Sequence, residues 1–213
     1  MTLDEFYPYI LADVQGCPDP TININLVAAA IEFCTKSLAW SETTAPIALV
    51  NTQADYVITA PTDARALMPR DVWLDGSKLV PKTVDELAAV LPNWQTATGS
   101  NPAYYNASVT RGSIRVYPTP ANVVAQALLI RAAFIPTPAA TTLPDFLGQY
   151  HMEAIASGAK ARLMAMPTKD WSNPALGTYH KGMFDAAIID AKIAEAHDRV
   201  QGSISAAPRR FGQ

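Results

Sequence analysis

The stretch 143–166, LPDFLGQYHMEAIASGAKARLMAM, decides the fold. It opens on Pro144, the last of a crowded series, and then runs to Met166 without another proline. Eleven of the 17 prolines fall between residues 41 and 144, and none falls in 21–40 or 145–166. Proline lacks an amide donor and breaks helix interiors. The middle of the chain therefore predicts strands and turns, and the flanks predict helices. Within the stretch itself, Pro144-Asp145 opens a helix to about Met166, with Phe146, Tyr150, Ile155, Ala159 and Leu163 among its apolar positions. Gly148, Ala154, Ala156, Gly158, Ala159 and Ala161 are small and let another backbone come close. Pro167 stops the helix.

Towards the C-terminus, Asn173 caps and Pro174 starts a final helix, at the position where proline fits best. Phe184, Ile188, Ala191, Ala194 and His197 step along it, and Ala187, Ile189, Ile193 and Val200 widen the stripe. Lys181–Asp185 and Glu195–Arg199 read as i, i+4 pairs on exposed turns. Residues 202–213, GSISAAPRRFGQ, have no periodicity and read as a free, flexible arm.

Towards the N-terminus, Ala127–Ile135 reads as a strand buried on both faces or nearly so. Ser113–Tyr117 and Tyr104–Val109 precede it, joined by Thr110-Arg111-Gly112. Within Asp71–Lys82, Asp75-Gly76 is a hairpin signal, because both residues tolerate positive φ. Asp55–Ala60 and Ala45–Val50 complete the strands. Thr83-Val-Asp-Glu86 is a capping box opening a short helix to Leu91. A second helix of the chain runs from about Thr21 to about Trp40, striped by Ile22, Leu26, Ala29, Ala30, Phe33 and Leu38. The first segment has another capping box, Thr2-Leu-Asp-Glu5, but Pro8 conflicts with a continuous helix to the Gly16 stop. Together these readings predict an α+β protein. An α-helical bundle of four helices comes from residues 1–42 and 143–201, an inserted antiparallel β domain from 43–142, and an arm from 202–213.

Composition narrows the function. Of 213 residues, 49% are hydrophobic and only 16% charged, with a net charge of −3. Disorder is excluded as the main state, and no basic surface for nucleic acid or anionic membrane is expected. The N-terminus is acidic, unlike a signal peptide, and no apolar stretch approaches the ~20 residues of a membrane span. Two cysteines exclude a disulfide framework, so Cys17 and Cys34 are expected as thiols of a protein made in a reducing cytoplasm. An under-charged subunit can hide neutral surface against copies of itself.

No nucleotide, phosphate-loop, zinc-protease or nucleophile-elbow motif is present. His151 and Glu153, two positions apart on a helix, point about 200° apart and cannot share an ion. His180 and His197 lie ~25 Å apart along one helix, each read as a partly exposed polar residue or a subunit contact. Asp145 with Glu153, or Asp185 with Asp190, are the candidate carboxylate pairs for glycan hydrolysis. Trp73, Trp94, Tyr104, Tyr105 and Tyr117 are candidate stacking aromatics, with core packing as the competing role. Arg209, Arg210 and Phe211 form the one purposeful cluster of the arm, since Arg and Phe suit interface cores. No cofactor or metal is called for, and no catalytic residue is assigned.

The order of parts resembles the head-to-tail adaptor (connector) proteins of tailed bacteriophages. The features that carry the resemblance are Leu3-Asp-Glu-Phe-Tyr7, the helix ending near Trp40, the β insert with Gly112-Ser-Ile-Arg-Val-Tyr-Pro-Thr-Pro120, Leu143-Pro-Asp-Phe-Leu147, the helix 174–201 and the loose tail. The resemblance spans the whole chain. It implies a virion structural protein at the capsid–tail junction, made in the host cytoplasm and not an enzyme. It further implies a ring of about twelve copies. One face of that ring docks on the portal protein, another carries tail or nozzle and tail-fibre components, and phage DNA passes through the bore. By position, Arg209, Arg210 and Phe211 would be the portal anchors. Two other classes stand beside it: a tail-associated cell-wall glycan hydrolase using Glu153, Asp185 or Asp190, and a glycan-binding module built on Trp73, Trp94 or Tyr105.

Overall fold

The computed structural model describes residues 1–107 and 111–197, with backbone alone at 125–127. It is α+β. A 3-10 turn, Leu3–Phe6, leads into α1, Tyr7–Leu11. Pro8 explains the break, because the helix starts over with proline in its first turn, where no amide is needed. The expected first long helix is therefore only a short one, and three long helices rather than four pack together. α2 spans Asp19–Ser37 and stops where Leu38 turns left-handed, at φ 58°. Ile22, Leu26, Ala29, Ala30 and Phe33 of its expected stripe are fully buried, whereas Leu38 lies just past the helix end and is half-buried.

The strands follow as β1 Ser41–Thr43, β2 Ile47–Leu49, β3 Asp55–Val57, β4 Ala64–Leu74, β5 Ser77–Lys78 and β6 Val80–Pro81. After α3, Val84–Val90, come β7 Thr98–Gly99, β8 Tyr104–Ala107, β9 Ser113–Tyr117, β10 Thr119–Pro120 and β11 Val124–Pro136. Asp75 and Gly76 have φ of 47° and 77°, the paired positive values of the predicted hairpin turn, and Leu74 pairs with Ser77 across it. The Thr83 hydroxyl accepts from the Glu86 amide at 3.3 Å, as the capping box predicts. One sheet has the order β1-β11-β4-β5, with β2 also on β11, and a second has the order β3-β9-β8-β6. Most ladders are antiparallel as expected, but β6–β8 and β7–β10 are parallel pairs of two residues each. β4 begins well before the expected Asp71 and carries Pro69. The β11 register shifts between Arg131 and Ala132, so the missing amide falls at an irregularity of the ladder.

α4, Asp145–Met164, and α5, Pro174–Ala196, pack with α2, and α2 also lies on β11. The buried apolar side chains run without interruption from Phe6 and Phe33 through Phe134 to Ile114 and Phe184. Asp63 ties the sheet to the start of α4. Its carboxylate accepts from the Thr142 hydroxyl at 2.8 Å and from both the Thr141 and Thr142 amides at 3.0 Å, which holds it below the usual carboxylate range.

Candidate functional site

α5 has two sides of different character. Inward, Gly177, His180, Phe184, Ile188, Ala191 and Glu195 are buried. The Phe184 ring lies so close to α4 that a Cβ built on Gly158 would meet it at 2.8 Å, which is why the small residues of α4 matter. Outward, Tyr179, Met183, Ile189 and Ile193 stand in solvent, each more than half exposed. Tyr150 of α4, expected in the apolar stripe of its helix, is instead 74% exposed, while Leu147 takes the buried position.

Two grooves flank this surface. The first lies where α2, α4 and α5 meet, has a volume of about 490 Å³, and is lined by Gly158, Ala161, Gly177 and Phe184 with Arg162 and Lys181 at its rim. Glu32 is the hub of that rim. Arg162 donates to it at 2.6 Å, Lys36 at 2.5 Å and Lys181 at 3.4 Å. Burial alone would raise the Glu32 carboxyl, but these three cations outweigh it and hold it down at about 2. Lys181 also binds Asp185, as the spacing predicted. The second groove runs between α4 and α5 with a volume of about 750 Å³, lined by Tyr9, Tyr150, Glu153, Met183 and Asp190 among others. Its lining contains two carboxylates and no lysine or arginine.

The candidate residues sort accordingly. Asp145 is held by the Met1 ammonium group at 2.5 Å, and Asp185 by Lys181. Glu153 and Asp190, one from each pair, line the same groove, but both are exposed. Glycosidases shield one carboxyl in apolar surroundings. Among the described residues, no group of three or more His, Cys, Asp or Glu is placed to hold a metal ion. The His151 ring lies 4.8 Å from that of Phe33. His180 is not a surface residue as expected. It is buried at 7% exposure, with Asp13 Oδ2 3.7 Å from Nε2. Burial and the Lys160 charge push its pKa down, against the pull of Asp13. Burial pushes Cys34 up to about 12 and raises Cys17, which disfavours the thiolate at both. Tyr105 and Tyr117 are core residues, and the Tyr105 hydroxyl donates to the Arg70 carbonyl at 3.1 Å. Trp94 packs edge-on against Tyr117 with ring centroids 5.6 Å apart, and Lys78 sits 6.0 Å over Trp73. Trp73, Trp94 and Tyr104 are half-buried, so burial separates Tyr105 and Tyr117 from the other three candidates.

Glu195 is the clearest correction. Read as lying on an exposed turn, it is instead 4% exposed and joined to the sheet, to Arg70 and, at 3.3 Å, to Arg131, while its expected partner Arg199 lies outside the described residues. Asp71 extends the network to Arg131 and Lys78, and Arg70 also donates to Ser41 Oγ at 3.1 Å. Arg199, Arg209, Arg210 and Phe211 lie outside the described residues.

A mixed fold with a clamped terminal helix, an apolar outer helix face and two oppositely rimmed grooves defines a protein built for contact with other proteins. Residues 1–209 match the family described as SU10 adaptor protein. The chain belongs to that family, and is a structural adaptor of a tailed phage and a component of the virion. No curated protein matches the chain at a significant level. Among the described residues no helix is long and apolar enough to cross a membrane.

Proposed function

We propose that the chain is a head-to-tail adaptor that forms a ring of about twelve copies. One face of the ring docks on the portal protein and the other supports nozzle, tail or fibre proteins, while DNA passes through its centre. The observation that carries this reading is the exposed apolar face of α5 in a chain that matches an adaptor family along nearly its whole length. A monomer gains nothing from four large apolar side chains on one wet helix face. A subunit that stands among copies of itself buries them. Residues 1–42 and 143–201 supply the ring's packing surfaces, and 43–142 are left to meet tail components. A net charge of −3 per copy gives the assembly a negative charge that does not hold the phosphate backbone. Arg209, Arg210 and Phe211 anchor the arm in the portal.

Electron microscopy of the full chain with and without its portal protein tests the reading. A ring capping the portal is expected. A virion map that puts this chain away from the junction of head and tail would overturn it. Deleting residues 203–213 should leave the melting temperature unchanged and abolish portal attachment. Heads that still acquire tails with the truncated chain would remove the anchoring role.

A further inference from the structure

We infer that neighbouring copies meet head-to-tail, the outer ridge of α5 on one copy entering the groove that α2, α4 and α5 form on the next. The inference rests on the adaptor reading and adds to it the surfaces of contact. The ridge consists of Tyr179, Met183, Ile189 and Ile193, exposed by 60, 53, 58 and 53%. At about 100° per residue they fall within about 120° of one another. Gly182 and Ala186 lie between them, and Asp190 is the one charged residue within that arc. The receiving groove has small walls, Ala161, Ala165 and Gly177, over a Phe184 floor. Large knobs on one face and small-walled space on another are what interlocking helices require.

Charge selects the pairing. Glu153 and Asp190 stand exposed in the groove beside the ridge. Around the receiving groove, Lys36, Arg162 and Lys181 face only Glu32 and Asp185, leaving a positive excess. Lys181 and Arg162 are 44% and 40% exposed, free to meet a second carboxylate. Ridge against ridge would set Asp190 and Glu153 against their own copies, a like-charge contact that costs several kcal/mol. Ridge into groove sets acid against base. The α5 residues of the two grooves point about 140° apart, so the contact joins two different surfaces. Repeated by rotation, such a contact closes a ring, whereas a two-fold contact stops at a dimer. A stable contact buries ~800 Å² on each partner. Four side chains fall short of that, so the interface takes in Tyr150, 74% exposed beside the ridge.

The test complements a phage lacking this gene with full-length variants and measures tailed-particle yield and the chain's presence at the head–tail junction. The Met183→Glu/Ile193→Glu chain should melt like wild type and lower the yield roughly tenfold or more. Glu153→Arg/Asp190→Arg should do the same, as should Arg162→Glu/Lys181→Glu. A chain with all four charges exchanged should recover most of the yield. The inference is overturned if the ridge variant enters the junction at wild-type level. It is also overturned if the four-charge chain folds but stays as defective as either pair. Should the Glu32 hub fail to fold without its cations, the ridge variant decides alone. Wild-type chain absent from the junction would remove the adaptor reading itself. Wild type present, with an indifferent ridge variant, removes only the surfaces proposed here.

Discussion

α4 and α5 are close in length, 20 and 23 residues, and both are rich in alanine and glycine, yet they are used differently. α4 packs against α1, α2 and α5, and its small residues serve the chain's own core. α5 is buried on one side, and its outer side exposes four large apolar residues, Tyr179, Met183, Ile189 and Ile193. Similar composition thus carries two meanings. In α4 it lets helices of one copy close up, and in α5 it leaves a face for something outside the copy. Nothing in either helix alone separates the cases, because what differs is how many neighbours the fold supplies.

Substitutions on the two helices should split along that line. The largest effect belongs to α4: Gly158→Val drives a side chain into the Phe184 ring and should cost about 3 kcal/mol, read from urea unfolding. A loss below 1 kcal/mol would mean the helices can part without penalty. Next is the clamp. Glu195→Ala removes the carboxylate between Arg70 and Arg131, leaving Arg131 its longer contact with Asp71, and should cost about 2–3 kcal/mol. That is the low end for a broken buried pair, because the guanidiniums keep 22% and 24% exposure. Third is pH. The Glu32 carboxyl sits at about 2 in the folded protein, below its ordinary 4.5. Its contribution is fully present above pH 4.5 and fades as pH falls towards 2. Wild type should lose about 2 kcal/mol over that window relative to Glu32→Gln, a figure reduced for the half-exposed Lys36 and Arg162. The smallest effect belongs to the outer side of α5. Tyr179→Ser, Met183→Ser and Ile189→Ser should each change stability by less than about 0.5 kcal/mol. A loss of core size from any of them, in a purified full-length chain, would erase the contrast between the helices.

Local signals were readable in the sequence, and distant ones were not. The Asp75-Gly76 hairpin and the Thr83 cap depend on two to four adjacent residues, and both formed where the sequence put them. The α2 stripe depends on one period and formed as well. β4 was missed from Ala64 to Arg70, because Pro69 argues against a strand until the irregular β11 register that accommodates it is known. Glu195 was misread for a similar reason. Spacing marks it as a surface position beside Arg199, but it is buried, and two of its partners lie 64 and 125 positions away in the chain. Of the contact surface, Glu153, Asp190, Ile189 and Ile193 were singled out individually, and Tyr179 and Met183 were not. Periodicity counted Ile189 and Ile193 towards the buried stripe, and only the packing of α4 and α2 against the other side shows which face is left over.

The clamp at the end of α5 has a mechanical consequence. Glu195 moors the last helical turn to two strands of the larger sheet, through Arg70 on β4 and Arg131 on β11. Tension on the chain leaving α5 is therefore shared with the sheet before the helix has to unwind. The final turn is a fixed point from which the rest of the chain can be pulled without loosening the body it belongs to.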